Sequence, residues 1–260
     1  MKTFPVLIVA LALALSAGAQ APTPGKKLDI VAIAKIQSTV TMPQGEMNIP
    51  VTSETYTTIV INDVKNNMVT GTNTITRIKT TTSIMGMDNA VDSDDPASKD
   101  IPQVAEAFKM VKQAAPFTHN MDVDVPAKMD INALQGKMTA DEFFLPISSS
   151  KLKENYAWTQ SMTDDKNTTM GEMHFLVKRV SNGEAEITST GNMDINTTNA
   201  QQGMEIKQKM KGTFSSSSVY DMATGMLRSS TSTIDMSGTM EVAGNTSPLS
   251  IKTSITTTAK

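Results

Sequence analysis

The chain has 260 residues, 39% hydrophobic and 4% aromatic, with 20 methionines, no cysteine and a formal net charge of -3. This balance lacks the clustered Lys and Arg that displace counterions from a phosphate backbone, so nucleic acid is excluded as an expected partner. Without cysteine there is no disulfide framework, thiolate metal site or cysteine nucleophile, and stability must come from a buried core.

At the N-terminus, Lys2 precedes the apolar run Val6 to Leu15, about ten residues where a membrane-spanning helix needs about twenty. Ala17-Gly18-Ala19 then offers the small residues that a signal peptidase reads. Residues 1–19 are therefore expected to be a cleavable signal peptide, and residues 20–260 a single antiparallel β domain. No cysteine follows to carry a lipid, and no later run has the length and hydropathy of a transmembrane helix. The expected location is periplasmic or extracellular, without a lipid anchor.

Threonine makes up about one residue in seven or eight, and its β-branched side chain suits a pleated surface with one wet face. The segment Lys27 to Ile84 reads as a β-meander with a hairpin tip at Asn66-Asn67, where a two-residue turn needs positive φ angles. An acidic stretch runs from Asp88 to Asp100. After it, Pro102 in a first turn and the stripe Val104, Phe108, Val111, Ala115 predict a helix over about 101–115, stopped by Pro116 and covering the apolar face of the sheet. A short strand is expected at Met121 to Val125, and a loop around Pro146 and Ser148 to Ser150.

A second meander, Tyr156 to Ala259, repeats the first. Ile61-x-x-Val64-x-Asn66-Asn67 and Val177-x-x-Val180-x-Asn182-Gly183 superpose at a constant offset, each followed by alternating Thr-bearing sequence. Within it, Met204, Ile206, Met210 and Phe214 share one face while Glu205, Lys207, Lys209 and Lys211 share the other. Ile234, Met236, Met240 and Val242 face inward against Thr233, Asp235, Thr239 and Glu241, and Leu249, Ile251 and Ile255 do the same in the last strand. One wet face per strand predicts a mainly β fold, a curved antiparallel sheet or half-barrel built from two related β-meanders with one covering helix.

The stretch Phe143-Phe144-Leu145-Pro146 followed by Tyr156 and Trp158, the turn Tyr220-Asp221-Met222-Ala223-Thr224-Gly225-Met226, and Val91-Asp92-Ser93 together resemble an uncharacterised family of exported, β-rich bacterial envelope proteins. The chain departs from that pattern at Glu154-Asn155, where relatives carry a Gly-Asp type turn, and it lacks the lipid-bearing cysteine that many of them have. The resemblance implies export and an architecture similar to the half-barrel sheets of periplasmic lipoprotein carriers. It implies no catalytic residues.

The inventory of chemistry is short. His119 and His174 are the two histidines, and no His-Glu-x-x-His, Gly-x-Ser-x-Gly or Gly-rich phosphate loop accompanies them, so neither catalysis nor a cofactor is expected. Asp88, Asp92, Asp94 and Asp95 lack the glycine and closing glutamate of a calcium loop and read as a solvated acidic loop ahead of the helix. Met170-Gly171-Glu172-Met173-His174 with Met85-Gly86-Met87 is the nearest approach to a soft Cu(I) site, a minor alternative because Met173 alternates away from Met170 and His174. Most methionines fall at inward positions, where they fill irregular space. The leading expectation is a lipid or other hydrophobic ligand on the apolar sheet face, with Tyr156, Trp158, Met204, Ile206, Met210, Phe214, Ile234, Met236 and Met240 as candidate contacts. The alternative is a structural or interaction protein with a closed core, in which Tyr156 and Trp158 pack against the helix.

Overall fold

The computed structural model describes residues 22–42, 45–84, 87–99, 101–122, 128–129, 143–163, 168–201, 204–242 and 244–260. The expected signal peptide, Met85-Gly86 and the last three residues of the strand expected at Met121 to Val125 lie outside them. The strands are β1 (Lys27–Met42), β2 (Gly45–Lys65), β3 (Met68–Ile84), β4 (Met87–Asp92), β5 (Ala114–Asn120), β6 (Lys128–Met129), β7 (Ala157–Thr163), β8 (Thr169–Ser181), β9 (Glu184–Gln201), β10 (Met204–Asp221), β11 (Leu227–Val242) and β12 (Asn245–Ala259). Two short helices, α1 (Pro96–Lys99) and α2 (Pro102–Lys109), lie between β4 and β5.

The strands form one sheet in the spatial order β4-β3-β2-β1-β12-β11-β10-β9-β8-β7-β6, with β5 also beside β3. Neighbours are antiparallel, apart from the two-residue pairing of β6 with β7. The sheet is curved and does not close into a barrel. Its centre is a seam between the ends of the chain, where β1 pairs with β12 from Ile30 and Ala259 to Val40 and Leu249.

The two predicted hairpins are present and built alike. Asn66 and Asn67 have φ of 51° and 61°, and Asn182 and Gly183 have 53° and 75°, the paired positive angles that match strand twist in a two-residue turn. Each hairpin carries a register shift at the corresponding place, between Ile61 and Asp63 in β2 and between Val177 and Arg179 in β8. The strand before each hairpin also starts alike. Ile61 N–H donates to Lys26 O as Val177 N–H does to Tyr156 O, both at 2.9 Å, and Gly25 and Asn155 hold φ of 81° and 67° in the preceding turns. The repeat thus extends from two loop tips to the unit β1–β2–β3 and its counterpart β7–β8–β9.

The helical region differs from the expectation. Helix α2 ends at Lys109, and residues 114–120 form β5 against β3, including Pro116 opposite Thr72. A tertiary bond ends the helix: Lys112, at φ 64°, donates its N–H to Ile75 O at 2.7 Å. Pro116 is tolerated because β5 lies at the rim of the sheet, where a missing donor breaks no ladder. Of the strand expected at Met121 to Val125, Met121 and Asp122 form a turn directly after β5.

The described side chains of α2, Val104, Ala107, Phe108 and Lys109, do not supply the expected cover: none belongs to the core cluster, whereas Phe143, Phe144, Leu145, Ile147 and Leu152 all do. This irregular segment packs on the inner face at the end of the sheet where the Asn66-Asn67 and Asn182-Gly183 tips stand. The same buried cluster takes in Leu28, Ile30, Ile59, Ile61, Val69, Val177, Ala185, Ile187, Tyr220 and Leu227 from the strands.

Methionine has a defined packing role on the concave side. A Cβ added at Gly191 would stand 2.7 Å from Met173 Sδ, and one at Gly171 2.7 Å from Met162 Cε. Each glycine is paired across strands with the methionine that leans over it. Concave curvature crowds inward side chains, and setting a long, flexible thioether over a residue with no side chain relieves that crowding.

Candidate functional site

Strand alternation decides what the inner face carries. Every Lys, Arg, Asp and Glu on β1–β5 and β7–β12 stands at an outward or bulge position, so the inner face presents no charge among these strands. Across it run two adjacent rows of small, mostly hydroxyl-bearing side chains. One row passes through Thr55, Ala32, Thr257, Ser230 and Ser218. The other passes through Thr80, Ser53, Ala34, Ile255, Ser232, Ser216 and Ser189, then reaches Phe175 and Trp158. The hydroxyls bond to one another: Ser189 and Ser216 are 2.7 Å apart, Ser218 and Ser230 2.9 Å, and Ser53 and Thr80 3.3 Å.

This belt divides the face. On one side is the end closed by Phe143–Leu152. On the other, Met193, Met210, Met236, Leu249 and Val40 are buried, but Ile36, Ile49, Val51, Ile195, Ile206, Ile234, Met240 and Ile251 keep partial exposure. The apolar face is thus sealed at one end and partly open at the other.

Most of the expected ligand contacts fall on the open side. Ile206, Met210 and Phe214 on β10 and Ile234, Met236 and Met240 on β11 form one inward patch, with Phe214 opposite Ile234. Met210, Phe214 and Met236 are buried while Ile206, Ile234 and Met240 are partly exposed. The side chain of Met204 lies outside the described set. Tyr156 and Trp158 are separated from this patch by β8 and β9. They pack on each other at 5.9 Å, and Trp158 stacks on Phe175 at 4.8 Å and 5°, so their partner is the next strand and not the helix. Sequence reasoning passed over the hydroxyl belt, although the run Ser215 to Ser218 signals it, since alternation turns Ser216 and Ser218 inward.

Two landmarks of the family resemblance, the Phe143–Pro146 stretch and the Tyr220–Met226 turn, meet in space. Leu145 N–H donates to Gly225 O at 2.8 Å, and Phe144 bridges Met226. Asp221 organises that turn by accepting from Ala223 and Thr224 N–H at 2.8 and 3.0 Å and from Arg228. Partial burial pushes the Asp221 carboxyl up, but the Arg228 guanidinium and the two amides outweigh it and hold it below the usual range. Ser93 likewise exchanges bonds with Ile78, through N–H to O at 2.9 Å and from Ile78 N–H to Oγ at 3.0 Å. A pocket of ≈ 130 Å³ lies beside this junction, lined by Asn67, His119, Phe144, Ser148 and Gly225 among others.

Three of the four acidic candidates are engaged by neighbours. Asp92 forms a two-pronged pair with Arg77, at 3.0 and 2.5 Å, and the Arg77 hydrogen bonds hold its carboxyl down to about 2. Asp94 pairs with Lys112 at 2.8 Å, and Asp95 accepts from Ala97 N–H at the start of α1. Among the described residues no group of three His, Asp or Glu could hold a metal. Met87 on β4 and Met170 on β8 stand toward opposite edges of the sheet, so the two methionine motifs do not converge. His119 is buried on β5 and stacks on Phe144 at 4.5 Å. His174, on the outer face of β8, lies 3.0 Å from Thr159 Oγ1 and 3.2 Å from Glu172 Oε1, with the His174 and Glu172 side chains more than half exposed. That is a cross-strand surface cluster with no cavity built around it.

No family model matches the chain, and no curated protein matches it. Among solved structures it is similar to lipovitellin, in a structure concerned with its lipid–protein interactions, at 14% identity over 92% of this chain and a TM-score of 0.49. The chain spans only 25% of that lipovitellin chain. It is also similar to an outer membrane channel from Pseudomonas putida F1, at 7% identity over 93% of this chain and 97% of the channel, with a TM-score of 0.30. A domain described as that of an outer membrane lipoprotein-sorting protein from Vibrio parahaemolyticus gives 10% identity over 86% of this chain and 83% of the domain, with a TM-score of 0.16. No residue role is carried over from any of them. No described helix is long and apolar enough to cross a membrane.

Proposed function

We propose that this is an exported, non-enzymatic envelope protein that holds a lipid or other hydrophobic molecule on the open half of its inner face. The observation that carries the reading is the contrast along the strands. Ile59 and Ile61 are fully covered at one end of β2, while Ile49 and Val51 on the same face at the other end remain partly exposed. An apolar surface that is concave, free of charge and incompletely covered suits a hydrophobic ligand. Methionines along it adapt to irregular shapes more readily than branched side chains do. Export rests on the pattern of residues 1–19 and is tested by N-terminal sequencing of the mature protein, which should begin at Gln20.

The pocket at the closed end, ≈ 130 Å³, falls below the roughly 300–1,000 Å³ of ordinary ligand sites. The reading therefore assigns the ligand to the open surface. Native mass spectrometry of protein purified under mild conditions from its own cells should find a non-covalent companion of several hundred daltons that is lost on denaturation. A bare polypeptide mass, unchanged after incubation with envelope lipid extract, would refute the reading and favour a closed structural protein.

A further inference from the structure

We draw no further inference here: the strongest candidate, the row on the open half of the inner face in which Met162, Met193 and Met236 alternate with Gly171 and Gly212 across β7–β11, belongs to the apolar surface already described, and nothing in the structure shows what covers it.

Discussion

Replacing Phe144 by alanine tests whether the segment 143–152, rather than helix α2, is the cover of the sheet. Phe144 is almost wholly buried, stacks on His119 at 4.5 Å, meets Phe117 at 5.8 Å and pairs with Met226. Truncation removes the transfer free energy of the ring and leaves a cavity among strands that cannot collapse onto it, which costs about 3–5 kcal/mol. Phe108, on α2, is the control. It is half-buried and lies outside the core cluster, so its truncation should cost about 1 kcal/mol or less. In urea, with an m-value of about 2–3 kcal/mol/M for a chain of this size, Trp158 fluorescence should show the Phe144→Ala midpoint about 1–2 M lower. The Phe108→Ala midpoint should fall by less than about 0.5 M. Equal shifts, or a larger one for Phe108→Ala, would show that the helix holds the core after all.

Gly191→Ala should destabilise by about 1–3 kcal/mol in thermal melts, because a Cβ there would collide with the backbone oxygen of Glu172 and stand 2.7 Å from Met173 Sδ. Asn67→Gly should be neutral or stabilising by up to about 1 kcal/mol, since Asn67 holds a positive φ that glycine adopts freely. Among the described methionines, peptide mapping after brief peroxide treatment should find sulfoxide first at Met87 and Met170, 72% and 51% exposed, and last at Met162 and Met173, each 1% exposed. Asp92 should contribute to the acid limb of stability. Its carboxyl is held at about 2 against an ordinary 3.8, so its stabilisation is complete above about pH 4 and is lost as pH falls toward 2. Partial exposure of the pair keeps the amount to about 1 kcal/mol. An Asp92→Asn variant should therefore be less stable at pH 7 and converge on the parent near pH 2 in denaturant titrations.

Where backbone chemistry is local, the sequence is a reliable guide. Asn-Asn and Asn-Gly turns require positive φ wherever they occur, and parity along β10, β11 and β12 follows from the two-residue period, so both were readable. The end of α2 was not, because the bond that stops it joins Lys112 to Ile75, a residue on another strand. The stripe Val104, Phe108, Val111, Ala115 carries a helical period past the true end, and Pro116 looks like a stop when it is a rim-strand residue. The inward patch of Ile206, Met210, Phe214, Ile234, Met236 and Met240 was legible for the same reason as the strands. Which of its members stay exposed was not, since that depends on where Phe143–Leu152 settles, and this segment has no period to read. Trp158 could be placed on a face, but its stacking on Phe175 depends on the register of β7 against β8, which alternation along one strand does not fix.

The pairing of β1 with β12 bears on when the protein can fold. The first strand meets its central neighbour only once the last has arrived, so a growing or partly threaded chain can form the hairpins at Asn66-Asn67 and Asn182-Gly183 but cannot complete the sheet. Contacts between the chain ends are the slowest to form, because the whole intervening loop must close first. The arrangement of strands itself delays compaction until β12 is free to join β1. Were the chain exported as proposed above, that delay would keep it extended during passage and leave assembly of the native state to the far side.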